Sequence, residues 1–222
     1  MSITVYWGSG SPFSWTVLLA LETKGQGYES RLLQMSQGEH KTPEFLALNP
    51  RGKVPVLVDG SQVISESLAI LTWLEAQYPE PPLFGRTAVE KAAVMQVVSE
   101  LVSYVEAPIM AISRTTFFKP WDADSQAAIS ESVAAAKPEL QRLDTRLQSM
   151  PWLAGQVLSV ADLRLYPLLQ LLWRAIGAAD RKGGLPVMHE LDRDNFPELD
   201  RWARQIEALH GYNRTYPPHW RA

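Results

Sequence analysis

Residues 49–60 have the sequence NPRGKVPVLVDG, and residues 64–67, shortly after them, have the sequence ISES. The apolar run that starts at Pro55 predicts a strand, because proline is tolerated at a first strand position where no ladder donor is needed. The bond between Val54 and Pro55 is a candidate for the cis isomer, which would turn the Val54 backbone outward toward an extended ligand. The ISES segment precedes an apolar run typical of a helix, whose first N–H groups would form an anion site. This stretch therefore predicts two neighbouring docking points for a peptide-like ligand.

Strand and helix signals alternate through residues 1–78. β-branched and aromatic residues indicate strands, and apolar residues at helical spacing indicate helices between them. The predicted order is a strand at 3–7, a helix at 13–24, a strand at 28–33, a short helix from Thr42 to Leu48, a hairpin at 55–65 with its turn at Asp59-Gly60, and a helix at 67–78. The pattern predicts a βαβ half followed by a ββα half.

A proline-rich segment at residues 79–82, PEPP, cannot continue a helix and predicts a semi-rigid linker. Beyond it we find no convincing strand signal. Apolar periodicity predicts long helices at 87–112, 124–150, 160–176 and 196–209. Pro138 lies inside the second of these and predicts a kink or a break. The second part of the chain is therefore predicted to be all-helical.

Short motifs along the chain occur in an order and spacing that resemble the glutathione S-transferase family. Ser11 follows the first predicted strand, a GKVP turn occupies residues 52–55, and a Glu-Ser pair follows at residues 66–67. The SVAD sequence at residues 159–162 resembles the helix-capping signature of the family's C-terminal domain. The resemblance covers nearly the whole chain and indicates a serine-type, bacterial-style member, similar to the phi, theta and zeta classes.

The resemblance implies an α/β thioredoxin-like N-terminal domain at residues 1–78, which binds glutathione. It further implies a linker at residues 79–86 and an all-α helical C-terminal domain at residues 87–222, which carries the electrophile pocket. A homodimer is also implied, in which domain one of one subunit meets domain two of the other. The implied activity is the transfer of glutathione, as a co-substrate, to small hydrophobic electrophiles in detoxification.

The composition and charge of the chain argue against several classes of protein, among them nucleic-acid-binding and membrane-spanning proteins. The chain has 222 residues, a formal net charge of −3 and no cysteine. This charge gives no indication of a nucleic-acid or acidic-membrane partner, and no apolar run approaches the ~18 residues that span a bilayer. The N-terminus lacks the charged start and apolar core of a signal peptide, so we expect a cytoplasmic protein.

The absence of cysteine excludes a cysteine nucleophile and thiolate metal sites. The four histidines have no metal-ligand spacing, so we expect no metal. Any thiol chemistry must therefore use a thiol that the ligand brings.

Ser11 is the candidate catalytic residue, as a hydrogen-bond donor to the sulfur of glutathione. A thiol with a pKa of ~8.5 is mostly protonated at neutral pH, and lowering its pKa by two units takes about 2.7 kcal/mol. A hydrogen bond to a charged group supplies roughly 1.5–3 kcal/mol, and a helix N-terminus adds about 0.3–1 kcal/mol. Ser11 also fits an ordinary N-cap, and the two roles can coexist. Ser9 and Ser14 are rivals for the same hydroxyl role.

The resemblance also implies the residues that hold glutathione. Glu66 and Ser67 suit the γ-glutamyl end, because its ammonium group can pair with Glu66 and its carboxylate with the start of the helix. Val54, next to Pro55, would pair its backbone with the cysteinyl part, in the manner of strand addition. The basic residues that could meet the glycine carboxylate are His40, Lys41 and Lys53. Two of these assignments have structural alternatives: Ser65 or Ser67 as a helix cap, and His40 and Lys41 in a solvated loop.

The family places the electrophile pocket between the two domains, where aromatic side chains are candidate lining residues. The candidates are Trp7, Phe13, Tyr104, Phe117 and Trp121. The C-terminal segment at residues 212–220 is also rich in aromatic residues and looks able to fold back. Most aromatic residues on helices belong to the core, so each of these assignments competes with simple burial.

Ser159 and Asp162 have the spacing of a capping box, in which each side chain bonds the backbone of the other residue. We interpret this pair as structural. It is expected to fix the start of the central helix of the second domain, so that replacing Asp162 harms folding more than chemistry.

Two alternative functions remain open. A non-catalytic binding module could use the same fold, although such relatives usually lose the serine or the Glu-Ser pair that this chain retains. Another glutathione-dependent enzyme, such as an isomerase, a dehalogenase or a peroxidase, could use the same thiolate. The Ser14-Trp15 pair resembles the zeta class, but the double serine, cysteine and following arginine of that class are absent, which weakens a prediction of maleylacetoacetate isomerase.

Overall fold

The computed structural model describes residues 3–221. By its contacts the chain divides into two units. The first comprises the residues through Leu83 together with those from Glu207 onward, and the second comprises Phe84–Ile206. The boundary after Leu83 falls inside the segment 79–86 that the sequence predicts as a linker.

The first unit is built on a four-stranded mixed sheet. In chain order its elements are β1 (Ile3–Gly8), α1 (Pro12–Thr23), β2 (Tyr28–Leu33), α2 (Pro43–Leu48), β3 (Val56–Asp59), β4 (Gln62–Ser65) and α3 (Ser67–Gln77). The strand order is β2-β1-β3-β4, with β1 parallel to β2 and antiparallel to β3, and β3 antiparallel to β4. The predicted βαβ half followed by a ββα half is confirmed.

The core of the first unit surrounds α1. Its apolar run Val17–Leu21 is almost completely buried, as are Val5 of β1 and Leu57 of β3. Ile70 and Leu74 of α3 lie on the same face of their helix, four residues apart, and both are fully buried. α1 is apolar around its whole circumference, which is typical of a buried helix, and one of its faces packs against α3.

Lys24, at the C-terminal end of α1, is a buried cation with three acceptors. Its Nζ donates to Glu75 Oε2 at 2.8 Å, to the Tyr78 carbonyl at 2.7 Å and to the Pro81 carbonyl at 2.8 Å. A buried charge is tolerated only when it is paired and hydrogen-bonded, and here every ammonium hydrogen has a partner. The three bonds tie the end of α1 to the end of α3 and to the segment that follows it.

The second unit is helical, as predicted. Its elements are α4 (Ala88–Glu100), a π-helical turn (Leu101–Val105), α5 (Glu106–Phe118), α6 (Ala123–Leu147), α7 (Val160–Asp180) and α8 (Pro197–Glu207). The predicted helix at 87–112 extends to Phe118 and contains the π-helical turn, neither of which the sequence pattern indicates. α6 continues through Pro138, which lies on the exposed face, so that water can bond the backbone carbonyl that loses its partner, while Val133 and Leu140 bury the opposite face.

The continuous helix formed by α4, the π-helical turn and α5 is long and apolar enough to cross a membrane by length and composition. Core helices of soluble proteins pass the same test. Val98, Leu101, Val105, Ile109 and Ile112 are buried at helical spacing, and α5 packs against α6 and α7. This pattern is that of a core helix.

The last residues of the chain form α9 (Tyr212–Thr215) and a 3₁₀ turn (Pro218–Trp220). Their aromatic side chains pack on Trp15 of α1, within the first unit. The sequence assigns these residues to a helical domain at 87–222. The structure differs because their apolar rings cover a buried tryptophan of the first unit, a long-range contact that no local pattern encodes.

Asp162, near the start of α7, is completely buried and accepts four hydrogen bonds. The Ser159 backbone N–H and hydroxyl donate to Oδ2 at 2.8 and 2.7 Å, and the Leu153 N–H and Trp202 Nε1 donate to Oδ1 at 2.8 and 2.9 Å. Burial raises the pKa of this carboxyl, and the four hydrogen bonds act against that rise. The predicted capping box is present, and Asp162 also joins α7 to α8 and to the preceding loop.

We expect Asp162→Ala to lower the free energy of unfolding by about 3–5 kcal/mol, because it removes a cap and leaves several buried donors unpaired. Ser159→Ala keeps the carboxylate and serves as the control, with an expected loss of about 1 kcal/mol. Urea denaturation followed by tryptophan fluorescence measures both values. Equal stability of the wild type and Asp162→Ala would contradict the structural role.

Candidate active site

The strand register brings four chain segments to one end of the sheet, which we name the site end. β1 and β2 are parallel and finish together, with Gly8 opposite Leu33. β3 is antiparallel to β1 and begins beside its last residues, with Val56 opposite Tyr6. β4 finishes where β3 begins, with Ser65 opposite Val56. The segments after β1, β2 and β4, and the segment before β3, therefore share the site end.

Close packing at Gly8 shows that these segments touch. A Cβ atom added to Gly8 would lie 3.1 Å from Met35 Cγ and 3.3 Å from Val54 Cγ2. Met35 follows β2 and Val54 precedes β3. The backbone of β1 thus lies against side chains of both neighbouring segments, and a side chain at Gly8 would require them to shift by a few tenths of an ångström.

Ser11 is the N-cap of α1. Its Oγ accepts a hydrogen bond from the Ser14 N–H at 3.3 Å, and its own N–H donates to the Gly8 carbonyl at 3.1 Å. Pro12 follows at the first helical position, where a missing N–H has no cost. Ser11 is half-buried, and because its oxygen serves as the acceptor in the cap, the hydroxyl hydrogen can still be donated outward.

The two rival serines lie in different surroundings. Ser14 is 0% exposed, and its Oγ accepts a bond from the Gly8 N–H at 3.5 Å, so it belongs to the core beneath the loop. Ser9 is half-buried, and its Oγ lies 2.5 Å from His219 Nδ1. Of the three hydroxyl groups, that of Ser11 lies directly at the start of α1 as its N-cap, and Ser11 is half-buried whereas Ser14 is completely buried.

The segment before β3 carries Val54 and Pro55. The Val54–Pro55 peptide bond is cis, as the sequence suggests, and the β-ladder starts only at Val56. Asn49, which the sequence analysis did not single out, holds this segment from beneath. It is buried, its Nδ2 donates to the Lys53 carbonyl at 2.7 Å, and its Oδ1 accepts from the Arg51 N–H at 3.1 Å. The affinity of asparagine for turn backbone was the available signal.

The three basic residues predicted for the glycine carboxylate come from two loops, and Gly52 joins these loops. A Cβ atom on Gly52, whose φ is +57°, would lie 2.7 Å from Lys41 Nζ and 2.8 Å from the His40 carbonyl oxygen. The His40 ring is half-buried, and its Nδ1 has no hydrogen-bond partner within residues 3–221. The side chains of Lys41 and Lys53 are exposed.

Glu66 and Ser67 stand where β4 passes into α3. Glu66 is the non-glycine residue with a positive φ in the described chain, at +70°, and its side chain is exposed. Such a backbone conformation costs an L residue of order 1–3 kcal/mol and concentrates at functional sites. Ser67 is buried at the first position of α3, and Ile70 N–H donates to the Glu66 carbonyl at 3.0 Å.

The predicted lining residues of the electrophile pocket come from both units: Trp7 and Phe13 belong to the first, and Tyr104, Phe117 and Trp121 to the second. Phe13 is half-buried in α1, two residues after Ser11. Trp7 is buried in the sheet, where its Nε1 donates to Ser30 Oγ at 2.8 Å, because alternate residues of β1 face the core. The structure therefore gives Trp7 a place in the core of the first unit, whereas the sequence predicts it in the lining of the electrophile pocket.

In the second unit, Tyr104 is 60% exposed at the π-helical turn and lines a cavity of about 450 Å³ with Glu100 and Arg146. Phe117 lies thirteen residues further along the same helix, which at ~1.5 Å per residue is about 20 Å away. Trp121 lies beyond α5, with Lys182 Nζ 5.7 Å from its ring. Tyr104 and Phe117 therefore do not line one small pocket, since a helix separates them by more than three turns.

No group of three or more histidine, aspartate or glutamate side chains suited to a metal ion occurs in the part of the chain that the structure describes.

We expect Gly52→Ala to destabilise the protein by about 2–4 kcal/mol, because the Cβ atom meets a backbone oxygen in addition to the cost of a positive φ. Gly25→Ala is the matched control: Gly25 has a φ of +63° and nothing within 4 Å of its Cβ position, so about 1–2 kcal/mol is expected. Chemical denaturation compares the two. A loss at Gly52 no larger than at Gly25 would contradict the close approach of the His40–Lys41 loop.

Two family models match the chain. The model described as the glutathione S-transferase N-terminal domain matches residues 10–77, and the model described as the glutathione S-transferase C-terminal domain matches residues 71–210. The first of these ranges contains the β1–α1 junction, the segment before β3 and the start of α3.

Proteins and solved structures similar to the whole chain give the same indication. Glutathione S-transferase 4 of Zea mays is 36% identical over 217 residues, covering 96% of this chain and 92% of the relative. Maleylacetoacetate isomerase of Pseudomonas aeruginosa is 28% identical over 220 residues, covering 98% and 96%. A glutathione S-transferase from the Antarctic clam Laternula elliptica has a TM-score of 0.83 and 31% identity, covering 100% of this chain and 94% of its own. With both domain models matched and a relative 36% identical along nearly its whole length, the chain belongs to the glutathione S-transferase family.

Proposed function

We propose that this protein is a glutathione transferase that activates glutathione as a thiolate through Ser11 and conjugates it to small hydrophobic electrophiles. The observation that carries the proposal is the position of the Ser11 hydroxyl. It caps α1 at the site end of the sheet, where the segment before β3 and the start of α3 also lie. A tripeptide bound along these segments would bring its thiol to a hydroxyl donor at a helix N-terminus.

One hydrogen bond from Ser11 together with the N-terminus of α1 can supply the stabilisation that a thiolate needs. Stabilising a thiolate so that its pKa falls by two units takes about 2.7 kcal/mol. A hydrogen bond to a charged acceptor contributes roughly 1.5–3 kcal/mol, and the positive end of α1 adds about 0.3–1 kcal/mol. Ser11 donates its hydroxyl hydrogen to the sulfur and keeps accepting the Ser14 N–H, so it does not act as a nucleophile. The thiol proton leaves to solvent.

The remaining contacts follow the parts of the tripeptide. The Val54 backbone, ahead of the first ladder residue of β3, is suited to pair with the cysteinyl unit. Glu66 and Ser67 would hold the γ-glutamyl end, which supplies a reason for the strained backbone of Glu66. The glycine carboxylate would meet the exposed ammonium groups of Lys41 and Lys53 and the unpartnered nitrogen of the His40 ring.

The transfer step then needs no further covalent chemistry from the protein. The sulfur electron pair forms a bond to the electrophilic carbon, and the leaving group departs with its bonding electrons. In an addition, the electron pair released onto the substrate takes up a proton from solvent. We propose Phe13, two residues after Ser11 in α1, as a contact for the electrophile.

The second candidate function is glutathione-dependent isomerisation, which is favoured by the similarity to a maleylacetoacetate isomerase along 98% of the chain. Dehalogenase and peroxidase reactions would use the same thiolate. Product analysis with a haloalkane, a hydroperoxide, maleylacetone and a chlorodinitrobenzene distinguishes dehalogenase, peroxidase, isomerase and transferase activity. Turnover of maleylacetone alone would replace the transferase proposal with the isomerase proposal.

We further propose that the protein serves detoxification in the cytoplasm, as a homodimer. Exposed apolar side chains along α4 and the π-helical turn support a subunit contact there. Met95 and Val102 are 41% and 42% exposed and lie seven residues apart, on one helix face, and Val89 is 79% exposed.

We expect sedimentation velocity to give twice the chain mass for the wild type and the mass of one chain for Met95→Glu, because a buried unpaired carboxylate is costly at an interface. Val157→Glu is the control, since Val157 is an exposed apolar residue (64%) away from this helix face. A monomeric wild type, or a dimeric Met95→Glu, would argue against the proposed contact.

Ser11→Ala tests the activation step. We expect the variant to bind glutathione in calorimetry, while the absorbance of the bound thiolate appears about one to two pH units higher than in the wild type. Thr87→Ala is the matched control: Thr87 caps α4 in the second unit, so this variant loses a cap without losing the site hydroxyl. Identical thiolate titrations in the wild type and Ser11→Ala would assign activation to another group. Failure of the wild type to bind glutathione would remove the enzyme proposal.

A further inference from the structure

The C-terminal segment Tyr212–Trp220 is anchored on α1 through Trp15. Trp15 is 2% exposed, and its Nε1 donates to Thr215 Oγ1 at 2.8 Å. The rings of Tyr216 and Trp220 each lie 5.5 Å from the Trp15 ring in edge-to-face geometry. Such ring pairs stabilise a structure by more than the area they bury, so the Trp15 indole holds the segment firmly in place.

A second anchor lies about two turns further along α1. Glu22 is buried, and it accepts hydrogen bonds from Arg214 Nη1 at 3.3 Å and from the Tyr28 hydroxyl at 3.1 Å. A Cβ atom on Gly211, whose φ is +81°, would collide with the Glu22 side chain, so the backbone enters the segment in direct contact with α1. The segment is therefore held at two places on the helix that Ser11 caps.

The far end of this segment reaches the loop between β1 and α1, residues 9–11. His219 Nδ1 lies 2.5 Å from Ser9 Oγ. A Cβ atom on Gly10 would lie 3.0 Å from His219 Cε1 and 3.3 Å from Trp220 Nε1. The imidazole and indole rings therefore lie directly on the residue before Ser11.

We propose that His219 is a positioning residue for Ser11, acting through its hydrogen bond to Ser9 and its contact with Gly10. This inference rests on the proposed role of Ser11 in thiolate activation. Glycine gives a loop the largest conformational freedom, and Gly10 adopts a φ of +79° immediately before the candidate catalytic residue. Closing His219 over Gly10 removes that freedom and holds the Ser11 hydroxyl in one direction.

The exposure of His219 distinguishes this role from simple packing. His219 lies at the surface, so its ring adds little to the core, whereas Trp15 and Thr215 are buried and account for the stability of the segment. The ring makes a polar contact with the β1–α1 loop, and it also lies edge-on to the Trp220 ring, with 6.0 Å between the ring centroids. Its removal is therefore expected to alter the loop without unfolding the segment.

The test compares five variants with the wild type in full-length protein: His219→Ala, His219→Asn, His219→Gln, Ser9→Ala and the double variant Ser9→Ala/His219→Ala. Asparagine places a polar atom near the position of Nδ1, whereas glutamine places one near Nε2, so only the first can keep the bond to Ser9. His210→Ala is the control, because His210 is an exposed histidine of the same C-terminal region that is away from the loop. Measurements are kcat and KM with glutathione and a chlorodinitrobenzene, the thiolate titration of bound glutathione, and urea denaturation.

We expect His219→Ala and Ser9→Ala each to lower kcat about 3- to 10-fold, the effect of losing one hydrogen bond, with the bound thiolate appearing at higher pH. KM for glutathione and the unfolding midpoint are expected to stay close to wild type. His219→Asn should recover most of the activity, and His219→Gln should not. The double variant Ser9→Ala/His219→Ala should be no worse than the weaker single variant, because both remove the same contact.

An unchanged kcat and thiolate titration in His219→Ala would overturn the positioning role. A fall in stability alone, with both of those readouts unchanged, would show that the segment serves the fold only. The wild-type protein tests the proposed function separately: if it binds and conjugates glutathione while the His219 variants equal it, only this inference fails. If the wild type binds no glutathione, both fail.

Discussion

The register of β1 between a parallel and an antiparallel neighbour is the constraint on which the site depends. Parallel pairing with β2 makes both strands finish at the same end, and antiparallel pairing with β3 makes that strand begin there. A shift of one residue would exchange the two faces of β1 and bury the wrong side chains. Since Val5 is buried on one face of β1, the burial of apolar side chains fixes the register. The register in turn brings the four segments of the candidate site to one end of the sheet.

The second requirement is a rigid α1, because its first turn carries Ser11. Lys24 ties its C-terminal end to α3 and to the segment after α3 through three hydrogen bonds, and Trp15 holds the C-terminal segment against its first turn. A hydroxyl group can stabilise a thiolate only if it is held in place beforehand, since the energy of one hydrogen bond would otherwise go into ordering the donor. The buried helix and its anchors supply that order.

Much of the local structure in both units follows from local chemistry and could be predicted. Proline at the start of a strand, serine before proline at a helix start, and the Ser159–Asp162 spacing each have one favoured structural use. The π-helical turn at Leu101–Val105 has no such local signature. Trp7 could not be placed from sequence, because a tryptophan in a strand is equally suited to a core and to a pocket until its partner, Ser30 on another strand, is known.

By itself the sequence determined the element order, the family motifs and the serine at the start of α1, because these depend on residues close together along the chain. Only the tertiary structure decided that His219 meets Ser9, that Gly52 lies against the His40–Lys41 loop, and that the C-terminal segment covers Trp15. These contacts join residues distant in sequence. Burying the rings and satisfying the polar groups lowers the free energy only when the whole unit has packed, so no local pattern predicts them. Local patterns therefore encode the parts of the site, and packing decides which parts meet.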